Sequence, residues 1–567
     1  MAVKRNTTFD VQVFRDGRWM TETTREDEDA AISLATSIAS DVKCEGARVI
    51  RSWLRADGKT VDREVFCRTR VVKEDGSVRI AQVDAAPDKC EKLEDYFSLS
   101  ARAVLNRVFR AYLEKLFLTP TEILHNAREI KRLQDKDTLV PSAVDRIAFL
   151  QAREAEQDAK ARKDEIFKAI EQIAAKGRKA DSATLPKLKD SFSALLKALP
   201  ATDTEWERGY LALTVLSREL IGIRTFAGKL ERLCKLVAGE EDAAAISLLD
   251  GAMADLFASS VVQEILGWQP GLGQAICSMI DLADGAMVAE KSETAEAVDT
   301  LNRLFGESKL PDSRACLIDR AHRQLASPSP LYRTKPEQEK EAFQKVLLRL
   351  LTPNGLYSGP DTAEALTTRF TRMVQQGGSS GRRAAIDGVF RAMPDRAYGI
   401  IYLCELARSE FAKDHADDMA EILRQAIGGR HIVDLVQRAL SAKDRMVRAT
   451  NAHLAVQASP YPPETRKRVT EHIDKMLEDY LVEEQIIEKL DHPDSSLRDR
   501  AVRLVQFCAA GVLPEGKSLT RARQRILALL RQPNFDAHFV DGISDPIKAQ
   551  KALRDFHHLL VKAGFGG

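Results

Sequence analysis

LSAKDRMVRATNAHL, residues 440–454, and LDHPDSSLRDRAVRL, residues 490–504, align at an offset of 50. In each, a leucine (Leu440, Leu490) is followed four positions on by an aspartate (Asp444, Asp494). An aliphatic residue stands at +7 (Val447, Leu497), an arginine at +8 (Arg448, Arg498) and a leucine at +14 (Leu454, Leu504). Self-similarity at a fixed period marks repeat architectures, in which one helical unit buries its apolar face against the next. The pattern predicts a mainly α protein in which helix pairs stack.

Moving outward, QQGGSSGRRAAI at 375–386 contains Gly377-Gly378-Ser379-Ser380-Gly381, which fits the G-x-S-x-G of a hydrolase nucleophile elbow. An elbow needs a buried strand before the serine. Here Leu366, Phe370, Met373 and Val374 precede it at helical spacing, and Ile386, Val389, Phe390 and Met393 follow it at helical spacing. A phosphate loop needs Lys-Ser/Thr after the last glycine, where this chain has Arg382-Arg383. The stretch reads as a turn between two helices, with an anion contact at the second helix as the weaker alternative.

Residues 1–70 differ in period. FDVQVF alternates apolar and polar, as strands do. Asp16-Gly17 marks a hairpin, RWMTET returns, and a helix follows with Ala31, Leu34, Ala35 and Ile38 on one face. ARVIRSWL, the turn at 56–59 and TVDREVFCR complete a small α+β module of order ββαββ. Residues 71–95 read as a linker. Beyond them the periodicity is helical: a region at 96–200 with one long charged pattern over 142–175, a helical domain at 201–294, and the repeat region at 295–567. Thr119-Pro120-Thr121-Glu122 is a capping box with proline at the first helical position.

The segments at 440–454 and 490–504 resemble the HEAT repeat, a helix pair joined by an Asp-bearing turn with Val-Arg opening the second helix. The resemblance is clearest over 430–510 and implies a solenoid for 295–567. It also implies that Asp444, Arg448, Asp494 and Arg498 tie each repeat turn to its neighbour. HEAT-like proteins mostly bind other macromolecules, and some act on DNA as repair glycosylases.

The totals limit the function classes. With 567 residues, 44% hydrophobic and 30% charged, the chain is long enough for about three or four domains. Its net charge of +1 gives no global attraction to nucleic acid or acidic membranes. Eight cysteines, none within ten residues of another, fit reduced thiols in a cytosolic protein and no zinc spacing. No apolar leader and no run of about 18 apolar residues is present. Sparse asparagine suggests a GC-rich bacterial source.

Candidate chemistry is thin, and no catalytic residue, metal ligand or cofactor is assigned. Glu122-x-x-His125 and Asp555-x-x-His558 fit the acid-x-x-His of di-metal helical bundles. They are far apart in sequence, however, and Glu122 already serves its cap, so both histidines read as surface or capping residues. Gly271-Leu-Gly273 is a helix-joining loop, beside which Trp268 is expected to pack. Basic clusters occur at Arg369, Arg372, Arg382 and Arg383, at Arg466, Lys467 and Arg468, and at Arg521, Arg523 and Arg525. If they line one face they would track phosphates. The leading expectation is a non-enzymatic scaffold binding protein partners, in bacterial signalling. Nucleic-acid binding through the basic clusters is the alternative, with a repair-like enzyme or a helical metalloenzyme as remoter options.

Overall fold

The computed structural model describes residues 7–15, 18–40, 46–54, 60–69, 80–81, 86–136, 138–288, 295–332, 336–374, 378–409, 411–412 and 415–565. The chain is 70% helical, with 28 helices and a small antiparallel sheet near the N-terminus among these residues. It divides into two compact units, residues 1–86 with 132–166, and residues 87–131 with 167–567. No helix of the described residues is long and apolar enough to cross a membrane.

The first unit contains the expected ββαββ module. Strands β1 (Thr7–Arg15), β2 (Arg18–Arg25), β3 (Gly46–Leu54) and β4 (Thr60–Thr69) form an antiparallel sheet of order β2-β1-β3-β4. The turns at 16–17 and 55–59, and most of the expected linker, lie outside the described residues. Alternation along β1 buries Phe9, Val11 and Val13, while Asp10 and Gln12 face the other way. Asp10 accepts from Thr24 Oγ1 (2.5 Å), and Gln12 accepts from Arg48 Nε (2.9 Å). Helix Glu28–Ser40 lies on the apolar face and presents Ala31, Ala35 and Ala39 to Phe9, Val11, Ala47 and Val49. Its small side chains let helix and sheet approach closely.

The long charged pattern over 142–175 is not one helix. It breaks into Leu139–Glu154 and Ala159–Ser182, with Glu156 in the left-handed region (φ 51°). Asp158 opens the second helix by accepting from the amides of Lys160 (3.1 Å) and Ala161 (3.3 Å). Lys163 meets Asp145 at 2.5 Å, so the chain folds back on itself.

In the second unit many helices pack against one another. Pro311–Leu325 packs on Ala243–Phe257, and Pro360–Val374 packs on Pro311–Leu325. Arg396–Leu406, Ala442–Gln457, Pro463–Glu483 and Lys517–Leu530 continue the series. One apolar core runs from Phe192 to Ala563. Helix Pro360–Val374 precedes GGSSG as expected, but residues 378–381 already form the start of helix Gly378–Ala392 and not a turn between the two helices. Residues 375–377 lie outside the described residues.

The two aligned segments do form helix starts of the same kind, but in a different phase from the expected one. Helices Ala442–Gln457 and Leu497–Ala509 both open on a serine, Ser441 and Ser496. Each serine accepts from the amide three residues on, that of Asp444 or Asp499 (both 3.1 Å), and donates to the same residue's carboxylate (both 2.7 Å). Met446, Ala449, Thr450 and His453 are buried where Ala501, Leu504, Val505 and Cys508 are buried. The offset is therefore 55, and SAKDRMVR (441–448) stands over SLRDRAVR (496–503). The N-cap serine sets the phase, not the aspartate of the turn. Asp494 and Arg498 are not the counterparts of Asp444 and Arg448. Asp494 is exposed beside His492 (3.6 Å), and Asp499 and Arg503 take the equivalent places.

Two carboxylates each cap the start of a later helix. Asp250 accepts from the amides of Asp312 (2.7 Å) and Ser313 (3.0 Å) and from Ser313 Oγ (2.5 Å). Asp474 does the same for the amides of Lys517 (2.6 Å) and Ser518 (3.1 Å) and for Ser518 Oγ (2.6 Å). Both satisfy amides that a helix start leaves without partners. A Cβ on Gly516 would lie 2.5 Å from Asp474 Oδ2, so glycine permits this approach. Asp474→Ala is expected to cost about 1–2 kcal/mol in urea unfolding, with Asp474→Asn milder because it keeps an acceptor. Equal losses for the two would show that the charge and not the cap matters.

Candidate functional site

A cleft of about 810 Å³ lies within the second unit. It is assembled from separate segments. The short 3-10 helix Leu93–Phe97 delivers Phe97, and helix Leu99–Val108, capped by Ser98, delivers Arg102. Helix Glu205–Gly222 starts at the N-cap Thr204 and carries Trp206 and Tyr210 four residues apart, hence on one face. Helix Ala243–Phe257, capped by Asp242, forms the opposite wall with Leu248 and Gly251.

Three rings and one imidazole form the floor. Phe97 meets His125, Trp206 and Tyr210 edge-on, with centroids 5.3, 5.7 and 5.5 Å away. His125 lies 4.9 Å from the Tyr210 ring. Lys176 Nζ sits 4.4 Å from the Trp206 ring and 4.8 Å from that of Tyr210, in cation–π range.

Behind the rings lies a buried polar network. Arg102 donates to Thr121 Oγ1 (2.8 Å) and to the Gly251 carbonyl (3.0 Å), and its Nε is 3.5 Å from Asp255. Asp255 accepts from the amide (2.8 Å) and hydroxyl (2.6 Å) of Thr121. The Thr121 carbonyl accepts from His125 Nδ1 (2.7 Å). A carbonyl only accepts, so the ring proton is on Nδ1 and the lone pair is on Nε2. His125 lines the cleft, and no described residue bonds its Nε2. It is only 2% exposed, so of the surface and capping roles that the sequence offered it takes the second, as the C-cap of helix Pro120–Leu124. Burial, with Arg102 and Lys176 nearby, pushes its imidazolium down to about 3.

That shift has a pH consequence. An unfolded histidine titrates near 6.5, whereas folded His125 resists protonation to about 3. Between these values the unfolded chain binds the extra proton, so the stability contribution is complete above pH 6.5 and declines as pH falls. The slope is about 1.4 kcal/mol per pH unit at most. His322 and His453, lowered mainly by burial, act in the same direction. The urea midpoint is expected to fall from about pH 6.5 downward, and less steeply in His125→Leu. An unchanged slope in that variant would rule this out.

Glu122 and His125 do not share a ligand. Glu122 accepts from the Thr119 amide (2.8 Å) and hydroxyl (2.9 Å) in the expected capping box, and its other oxygen takes Lys229 Nζ (2.5 Å).

The structure sends the basic clusters to different tasks. Arg369 is 2% exposed and donates to the carbonyls of Leu325 (2.7 Å), Ser329 (2.7 Å) and Gln324 (3.2 Å). Arg372, three residues on, is exposed. Arg383 pairs with Asp418 (2.7 Å), and Arg382 approaches His415 (3.4 Å). Arg466 donates to the Gln457 carbonyl (3.0 Å), Lys467 faces Glu471 (3.9 Å), and Arg468 is exposed. Arg523 grips Glu515 (2.8 and 2.9 Å), Arg525 pairs with the buried Asp491, and Arg521 is half-buried. Arg448 lies 3.6 Å over the Tyr398 ring and 3.7 Å from Asp395, the N-cap of helix Arg396–Leu406. Trp268, expected to pack, is 76% exposed.

The chain matches no protein-family model, no curated protein and no solved structure.

Proposed function

We propose that the protein is a non-enzymatic helical-repeat scaffold of HEAT-like type that holds a protein partner at the cleft around Trp206. The observation that carries this reading is the cleft's construction. An aromatic floor sits at its centre, and charges of both signs, among them Asp203, Glu205, Lys197 and Arg208, ring its mouth. An apolar, aromatic centre inside a polar rim is the usual anatomy of a protein-recognition site. The groups behind it are spent on one another, Arg102 with Asp255 and Glu122 with Lys229, which favours a rigid pocket over a reacting one. Carboxylates on several basic clusters make phosphate tracking the weaker reading.

A photo-crosslinking residue at the exposed rim position Asp203, with Lys489 as a distant control, tests the reading. One protein is expected to crosslink from 203, to survive nuclease, and to be lost in Trp206→Ala. Equal adducts from 489 would refute it. Adducts lost to nuclease would move attention to the exposed Arg372 and Arg468.

A further inference from the structure

We propose that the cleft receives a neutral aromatic side chain that donates a hydrogen bond, a tyrosine phenol or a tryptophan indole of the partner protein, and that His125 Nε2 accepts that hydrogen. The inference rests on the protein-partner reading above and deepens it.

Three features select this chemistry by exclusion. His125 offers a lone pair, because its Nδ1 hydrogen is committed to the Thr121 carbonyl at 2.7 Å. Carboxylates and phosphate dianions bring only lone pairs and gain no hydrogen bond from that atom. A cation would supply hydrogens, but a cation of the chain already occupies the aromatic rings: Lys176, which also pairs with Glu207 (3.5 Å), sits 4.4 Å from the Trp206 ring and 4.8 Å from that of Tyr210. The ring faces that would attract an ammonium or guanidinium are thus held by a cation of the chain itself. What remains is an uncharged donor.

The third feature is the aromatic group of Phe97, edge-on to Trp206 and Tyr210, which themselves lie tilted at 30°; such a group suits a further aromatic ring better than an aliphatic hydroxyl. Burial matters as well. His125 is 2% exposed, so its acceptor sees little water, and a ligand hydrogen bond there replaces none of bulk strength. A cleft of about 810 Å³ holds such a side chain together with the backbone that presents it. Tyrosine and tryptophan are also the residues that most often anchor protein interfaces.

The full chain is titrated by calorimetry with N-acetyl-tyrosinamide, N-acetyl-tryptophanamide, N-acetyl-O-methyltyrosinamide, N-acetyl-phenylalaninamide and N-acetyl-argininamide. The first two are expected to bind saturably, at least about tenfold tighter than the O-methyl and phenylalanine amides, which keep the ring and lose the donor. Argininamide is expected not to compete. Leu248→Trp, which fills the cleft from helix Ala243–Phe257, is expected to abolish binding. The O-methyl comparison uses the unaltered protein, so it stands even if a cleft variant fails to fold. Equal affinity for the tyrosine and O-methyl probes, tighter binding of argininamide, or no saturable binding of any probe would overturn the inference. Tyrosinamide binding without a protein crosslink at position 203 would retire the scaffold reading alone. A specific protein crosslink with all five probes behaving alike would retire this inference alone.

Discussion

Lys229→Met is expected to lower the stability of the second unit by about 3–5 kcal/mol in urea unfolding. Lys229 and Glu122 are both 0% exposed, and their charged atoms lie 2.5 Å apart. Lys229 also donates to the Phe117 carbonyl at the end of helix Arg110–Leu116. Burial pushes the Glu122 carboxyl up and the Lys229 ammonium down, and each partner's charge opposes that shift. Removing the ammonium strands a carboxylate in the core, and that desolvation, more than the lost contact, sets the size of the effect. Glu122→Gln alone strands the ammonium in turn, although its amide oxygen still accepts from the Thr119 amide. Combining Glu122→Gln with Lys229→Met leaves no buried charge and is expected to recover most of the loss. The double-mutant cycle then shows strong coupling. Additive single effects, or a Lys229→Met cost below about 1 kcal/mol, would mean that the pair is solvated in solution.

Features written within one segment were legible. Alternation along Thr7–Arg15 specified a strand because one face is buried and the other is not, and Thr119-Pro120-Thr121-Glu122 specified a helix start because its partners are three residues apart. The similarity of the two segments was legible, but not its phase. Leucine and aspartate recur often enough to align at 50, whereas the serine hydroxyls of Ser441 and Ser496, which start the helices, align at 55. The break between Leu139–Glu154 and Ala159–Ser182 was hidden by an Ala-rich, charged stretch with good helix propensity throughout, and only Asp158 signalled it. The cleft was not legible. Phe97, Arg102, His125, Trp206 and Gly251 carry no mutual spacing, and packing alone brings them together. Trp268 shows the converse, since a large apolar residue in a loop need not find a core: Gly267 (φ 64°) turns the chain, and the indole stays 76% exposed.

Arg369 is where local reading and structure diverge most, and Arg369→Met is expected to cost about 3–5 kcal/mol, like other removals of a buried charged group that leave partners stranded. Its guanidinium gathers the carbonyls of Gln324, Leu325 and Ser329, which end and follow helix Pro311–Leu325, and lies 3.8 Å from Glu339. The last carbonyls of a helix have no intrahelical donors, so an arginine from the next layer supplies them. Forty-nine residues earlier Arg320, 5% exposed, does the same for the carbonyls of Phe257 and Ser259 behind helix Ala243–Phe257. The two clamps share a frame: Pro311, Ser313 and Arg320 stand over Pro360, Thr362 and Arg369, with Ser313 and Thr362 both 0% exposed. Arg372, on the same helix but exposed, provides the contrast, and Arg372→Met is expected to stay within about 0.5 kcal/mol. Arg369→Lys is expected to recover only a minor part, because one ammonium cannot span three carbonyls that a planar fork can. If Arg369→Lys matched the native protein, charge alone would suffice. If Arg372→Met cost as much as Arg369→Met, the basic cluster would act as a unit, and the division between clamp and surface arginine would fail.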